Sequence, residues 1–280
     1  MTANPTASPP DPARVLALLH SVREGRMFDL AQPVSPQSPH MPVQPPFGMA
    51  TDRVRLTEAM GSMLDTEVFA EHVQMTLHVG THIDALSHFA ASGHWCHGVP
   101  AAVHPSGAGT AGHGIETVGP MVARAVVVDV AGWHGVACLE AGTAITAAML
   151  QGAAAAQGVG VEAGDVVLIR TGWERHYAVD NARYVSGEPG LDEEAARYLS
   201  GCGAVAVGAD NMALEVLPFV DGRRAFPVHH HLLAEAGVHI IENLRLGGIC
   251  AAGVRSGVFM LLPVHFMGGT ASPATPVIIV

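Results

Sequence analysis

The sequence predicts an α/β protein folded as a single domain, on three observations. Short apolar, β-branched runs recur at residues 125–130, 166–171, 204–209, 238–241, 258–262 and 277–280. Segments with apolar residues at helical spacing, 146–157, 192–199 and 228–236, lie between several of them. Hydrophobic residues fill 49% of the 280 positions and charged residues 14%, which suits a full core and excludes a disordered chain. Alternating strands and helices imply a sheet flanked by helices.

Taken in order, residues 1–12 are rich in Pro, Ala and Ser and are expected to fray. Val15, Leu18, Leu19 and Val22 mark an amphipathic helix over 12–22 that ends near Gly25. Residues 1–25 therefore read as an N-terminal arm and helix, and 26–280 as the domain. Six prolines between positions 33 and 46 predict extended coil wrapping a surface. The remainder shows no internal repeat and no linker.

Composition narrows the chemistry. The formal charge is −11, and all fourteen cations are arginine. So acidic a chain repels a phosphate backbone, which argues against nucleic acid. Having no lysine, it has no Schiff-base or P-loop lysine. No window of eighteen uninterrupted apolar residues spans a bilayer, and the start lacks a secretory pattern, so a cytoplasmic protein with no membrane partner is expected. Cys96, Cys138, Cys202 and Cys250 are widely spaced and read as core thiols of a reducing compartment.

Seventeen histidines draw attention to metals. The stretch His78-Val-Gly-Thr-His82-Ile-Asp84-Ala-Leu-Ser-His88 holds three imidazoles and a carboxylate, the donors that Zn²⁺ or Mn²⁺ prefers. A straight strand would separate His78 from His82 by roughly 13 Å, too far to share an ion. Val79, Gly80, Thr81 and Ile83 are poor helix formers. A bend at Gly80 resolves the conflict by converging His78, His82 and Asp84. His88 lies one turn further on, where a general base would stand.

A second cluster follows at residues 227–244. On a helix, Leu232, Leu233 and Ala236 share a face with His229, which predicts that His229 points inward and that His231 joins Glu235 on the wet side. In the strand beyond Gly237, Glu242 alternates with Val238, Ile240 and Leu244. A carboxylate on an apolar face needs a cation, a metal or a proton, so His229 and Glu242 are further candidate ligands. Trp95 is a candidate aromatic wall beside the pocket. Asp210 and Glu215 are candidate substrate contacts, because they follow the 204–209 strand at its carboxyl end. Gly107-Ala-Gly-Thr-Ala-Gly112 matches G-x-G-x-x-G but follows no strand and reads as a flexible loop. No G-x-S-x-G elbow is present, against an α/β-hydrolase serine enzyme.

The motif from His78 to His88 resembles the cyclase family of metal-dependent hydrolases, which contains bacterial kynurenine formamidase and isatin hydrolase. Phe28-Asp-Leu-Ala-Gln-Pro, residues 164–173, Ile241-Glu-Asn-Leu244 and Gly268-Gly-Thr-Ala-Ser-Pro273 are similar to other segments of that family. The resemblance implies a swivelling β/β/α fold, a single domain with a mixed sheet and flanking helices. It also implies His78, His82 and Asp84 on a first metal, Asp84 bridging to a second completed by His229 and Glu242, and His88 as general acid/base. Leu86 stands where the formamidases usually have proline, and residues 210–215 replace their serine and aspartate. Both departures favour the isatin hydrolase pattern and one ion over two.

The expected protein is a divalent-metal hydrolase, with Zn or Mn, opening an amide, lactam, imide or lactone carbonyl of a small, cyclic or aryl substrate. A homo-oligomer, dimer or tetramer, is expected. The rival readings are a lyase or cyclase acting through an enolate at the same site, and a metal- or small-molecule-binding protein without turnover.

Overall fold

In the computed structural model, which describes residues 11–56, 61, 66–220, 222 and 224–280, the fold follows from where the apolar residues alternate. The segment 1–10, expected to fray, lies outside the described residues, whereas Asp11 and Pro12 already open a helix. Asp11 accepts from the Ala13 amide at 3.0 Å, and Pro12 starts α1 (Pro12–Ser21). The strands of three or more residues are β1 (Met27–Asp29), β2 (Gly48–Arg55), β3 (Glu67–Gln74), β4 (His82–Asp84), β5 (Met121–Asp129), β6 (Val166–Arg170), β7 (Ala206–Ala209), β8 (His239–Glu242), β9 (Ser256–Leu261), β10 (Ala271–Pro273) and β11 (Val277–Ile279). Nine of them form one mixed sheet in the order β1-β11-β9-β5-β6-β7-β8-β4-β10. The four central strands β5 to β8 run parallel, and antiparallel strands extend the sheet on both sides.

Both faces of the sheet are buried, as parallel strands require. Val126, Val128, Val167, Ile169 and Ile240 face one core; Ala125, Val127, Val166, Leu168 and Ile241 face the other. The first core is closed by α2 (Ala147–Ala156) and α3 (Glu193–Gly201), capped by the Thr146 and Asp192 side chains. It is also closed by α4, an α-helical turn (Pro227–His229) that widens into a π-helix (His230–Ala236). The proline-rich segment 33–46 forms no helix or strand and is pinned where Tyr177 Oη donates to the buried Ser38 hydroxyl at 3.1 Å.

The sequence reading did not anticipate the hairpin β2–β3. Its strands pair over eight residues, and almost every position in them is exposed. Among the described residues, no helix is long and apolar enough to cross a membrane.

Candidate active site

Two neighbouring strands and one helix bring the histidines together. In β4, Ile83 enters the second core, which turns His82 and Asp84 to the opposite face, beneath α4. In β8, Ile241 does the same for Glu242, which pairs directly opposite His82 across the ladder. His78 lies on the turn before β4. The bend expected at Gly80 is present: its φ is +66°, and a Cβ there would lie 2.5 Å from Val34 Cγ2. Only glycine meets both demands.

The donors form a nearly closed ring. His78 Nδ1 lies 3.0 Å from Asp84 Oδ1, which is 3.5 Å from His82 Nε2. His82 Nε2 is 3.2 Å from Glu242 Oε2, and Glu242 Oε1 is 3.1 Å from His229 Nε2. His229 Nε2 closes the ring at 3.9 Å from Asp84 Oδ2. His82 and Asp84 are fully buried, and His229 and Glu242 nearly so.

Despite these approaches, His82 Nε2, both Asp84 oxygens and Glu242 Oε1 have no hydrogen-bond partner among the described residues. Four unpartnered buried polar atoms within one cluster are costly unless a cation completes them. The separations also match the ~3.4 Å edge of a tetrahedron with ~2.1 Å metal–donor bonds. Two overlapping triads can hold an ion: His78, His82 and Asp84, and Asp84, His88 and His229. The residue set fits a divalent metal.

Electrostatics agree with this arrangement. Burial opposes a positive His82, but contact with Glu242 and the charge of Asp84 raise its pKa to about 9. Burial likewise opposes a charged His229, and Glu215 and Glu242 raise it to about 10. Asp84 is held well below the carboxylate range by His88, His78 and His82, against its burial. The protein has thus arranged anions and imidazoles that compensate one another, each carboxylate lying among nitrogen donors. His88 differs. It sits at the end of a 3₁₀ turn with its ring stacked on His78 at 4.1 Å, and burial lowers its pKa to about 4.

Support comes from residues that the sequence reading missed. Thr270 Oγ1 lies 3.0 Å from His78 Nε2, and the Gly80 carbonyl lies 2.9 Å from His82 Nδ1. The loop 107–112, expected to be flexible, is docked on the segment that carries Thr270. The Thr110 amide donates to the Gly268 carbonyl at 2.8 Å, and Gly109 lies too close to Gly268 to tolerate a Cβ. Phe89 and Phe226 stack near His229, with ring centroids 4.9 and 5.3 Å away.

Three other expectations need correction. Asp210 is fully buried, and its carboxylate accepts from the Thr171 amide and hydroxyl and the Gly172 amide at 2.6–2.7 Å, so it clamps the end of β6 and offers a substrate nothing. Trp95 is buried against Gly112 and His113, as a packing residue of the neighbouring loops. His231, expected on the wet side, is buried between Ser200 Oγ at 2.8 Å and Glu235 Oε2 at 2.9 Å. The reason is the π-helix, whose wider turn shifts the faces that a 3.6-residue repeat assigns. Glu215 does reach the cluster, but through His229 Nδ1 at 2.6 Å.

A family model described as "Putative cyclase" matches residues 28–216, more than half the chain. The chain belongs to the cyclase family. The matched span holds His78, His82, Asp84 and His88, whereas His229 and Glu242 lie beyond it and join the site through the fold. Among solved structures, this cyclase-family chain is similar to a crystal structure of a novel cyclase, 28% identical over 96% of this chain and 93% of that one, with a TM-score of 0.84. Isatin hydrolase A from Ralstonia solanacearum is 24% identical over 98% of this chain and 100% of its own, with a TM-score of 0.70. A predicted metal-dependent hydrolase from Bacillus stearothermophilus is 22% identical over 90% and 97%, with a TM-score of 0.56. The last two likenesses bear on the fold. No curated protein sequence matches the chain.

Proposed function

We propose that this protein is a divalent-metal-dependent hydrolase that opens an amide, lactam, imide or lactone carbonyl of a small cyclic or aryl compound. The observation that carries the reading is the pair of triads that share buried Asp84, one with His78 and His82 and one with His88 and His229, with Glu242 against His82 and His229. A binder needs the ligands, but it has no use for a neutral imidazole next to them. Isatin hydrolases among the structural neighbours agree with the reading.

His78, His82 and Asp84, with His229 and Glu242 beside them, would hold a Zn²⁺ or Mn²⁺ ion, which would supply Lewis acidity toward a carbonyl and toward water. His88 is kept neutral by burial, so a ring nitrogen is free to take a proton from the attacking water. The water oxygen bonds to the carbonyl carbon, the bond from that carbon to nitrogen or oxygen breaks, and His88 returns the proton to the leaving atom. Phe89 and Phe226 give the substrate an apolar wall beside His229. A cleft of about 510 Å³, whose lining includes Leu191, Asp192, Glu193, Glu215, Arg224 and Pro227, adjoins the same helix and has room for a small molecule.

The test is a panel of cyclic imides, lactams, lactones and N-formyl anilines, assayed with the protein loaded with Zn²⁺ or Mn²⁺ and with the chelated protein. Ring opening or deformylation that needs the metal is the expected result. Deuterium exchange at carbon without hydrolysis would instead support an enolate reaction.

The assembly read here is a homo-oligomer, supported by the hairpin β2–β3. Two strands alone are marginally stable in water, yet this pair leaves Met49, Phe69 and Val73 on one face 54–59% exposed. Light scattering after gel filtration should give a dimer or tetramer that Phe69→Ser weakens. A monomer at micromolar concentration contradicts this reading.

A further inference from the structure

Each histidine of the ring has a partner on its other nitrogen. His78 has the Thr270 hydroxyl, His82 the Gly80 carbonyl, and His229 the Glu215 carboxylate. Among these three partners, only that of His229 is charged. Glu215 Oε1 lies 2.6 Å from His229 Nδ1, while His229 Nε2 is turned toward Glu242 and Asp84. The same carboxylate accepts from the His229 amide at 3.1 Å and the Val228 amide at 3.4 Å, so it also holds the first turn of α4.

The mount of Glu215 is rigid. It is 1% exposed. The Leu191 amide donates to the Leu214 carbonyl, and the Val216 amide to the Leu191 carbonyl, both at 3.0 Å. Gly190 lies so close to the Glu215 backbone that a Cβ would approach within 2.4 Å. The preceding turn hangs on buried Glu188, which accepts from the Met212 and Ala213 amides at 2.8 and 2.7 Å.

We infer that Glu215 is a positioning residue, whose carboxylate holds the Nδ1 proton of His229 and so leaves the Nε2 lone pair facing Asp84 and Glu242. A neutral imidazole has one N–H and one acceptor nitrogen, and an ionised carboxylate can only accept. Placing it on Nδ1 therefore decides the tautomer and the ring orientation. The role as a ligand partner and the free Nε2 lone pair rest on the metal-centre reading above; the Nδ1 proton held by Glu215 does not.

The experiment combines metal titration with histidine NMR. In wild-type protein stripped of metal, a low-field His229 Nδ1–H proton resonance is expected, and Glu215→Gln should move it upfield. Glu215→Gln should weaken Zn²⁺ or Mn²⁺ binding by about 10–100-fold at unchanged stoichiometry. Glu215→Asp, which keeps the charge at shorter reach, should recover part of that loss, and KM should stay near the wild-type value. Unchanged metal affinity in Glu215→Gln, with or without a raised KM, overturns the proposal. Should Glu215→Gln fail to fold, the wild-type spectrum decides, because a His229 with no proton on Nδ1 also overturns it. Wild-type protein that binds no ion at all, while showing the Nδ1–H resonance, refutes the metal-centre reading and leaves the assignment of the Nδ1 proton to the Glu215 contact standing.

Discussion

Asp84→Asn is expected to empty the centre and reduce turnover to background. Asp84 is fully buried, and its two oxygens face different histidines: Oδ1 toward His78 and His82, Oδ2 toward His229. The amide keeps the shape but loses the charge and puts an NH₂ group where an acceptor is needed. Losing a residue that merely orients a ligand costs about 10–100-fold in metal affinity, and losing the shared ligand should cost more. His82→Ala should behave similarly while staying folded. Metal analysis after dialysis against micromolar Zn²⁺ or Mn²⁺ checks both variants. An Asp84→Asn protein that retains full metal content and activity contradicts the assignment.

His88→Ala should lower kcat by at least about 10²-fold while metal content stays near normal. The histidine stacks on His78 and lies within ligand distance of Asp84 and His229, so geometry alone allows it to be either a base or a ligand. The two roles separate in one pair of measurements. Loss of kcat at constant metal content supports the base, whereas loss of an ion together with activity makes His88 a ligand. Unchanged kcat rejects both roles.

Much of this site could be read before any coordinates. The conflict between strand spacing and shared ligation required a bend, and glycine at position 80 was the residue able to make it. Strand alternation put Glu242 on the face of the sheet opposite Ile241, and helical spacing turned His229 inward. The local repeats failed where the backbone departed from them. The π-helix over His230–Ala236 moved His231 inward, a change that no 3.6-residue pattern encodes. Asp210 and Glu215 look equivalent in sequence, two carboxylates five positions apart after one strand. Only tertiary packing commits one to the end of β6 and the other to His229. Thr270 lies in a segment similar to one of the family's, but nothing local to it points to His78, which it reaches across 192 positions of sequence. The hairpin β2–β3 went unseen because a core-centred reading of apolar runs passes over a pair of strands with so much exposed surface.

The most direct test of the central claim is an equilibrium titration of chelator-stripped, untagged protein with Zn²⁺ or Mn²⁺. Anomalous diffraction at the metal edge from the loaded crystal then locates the bound ion. Saturable binding of at least one ion per chain is expected, with the anomalous peak inside the ring of His78, His82, Asp84, His229 and Glu242. Folded protein that binds no ion, or a peak outside that ring, contradicts it.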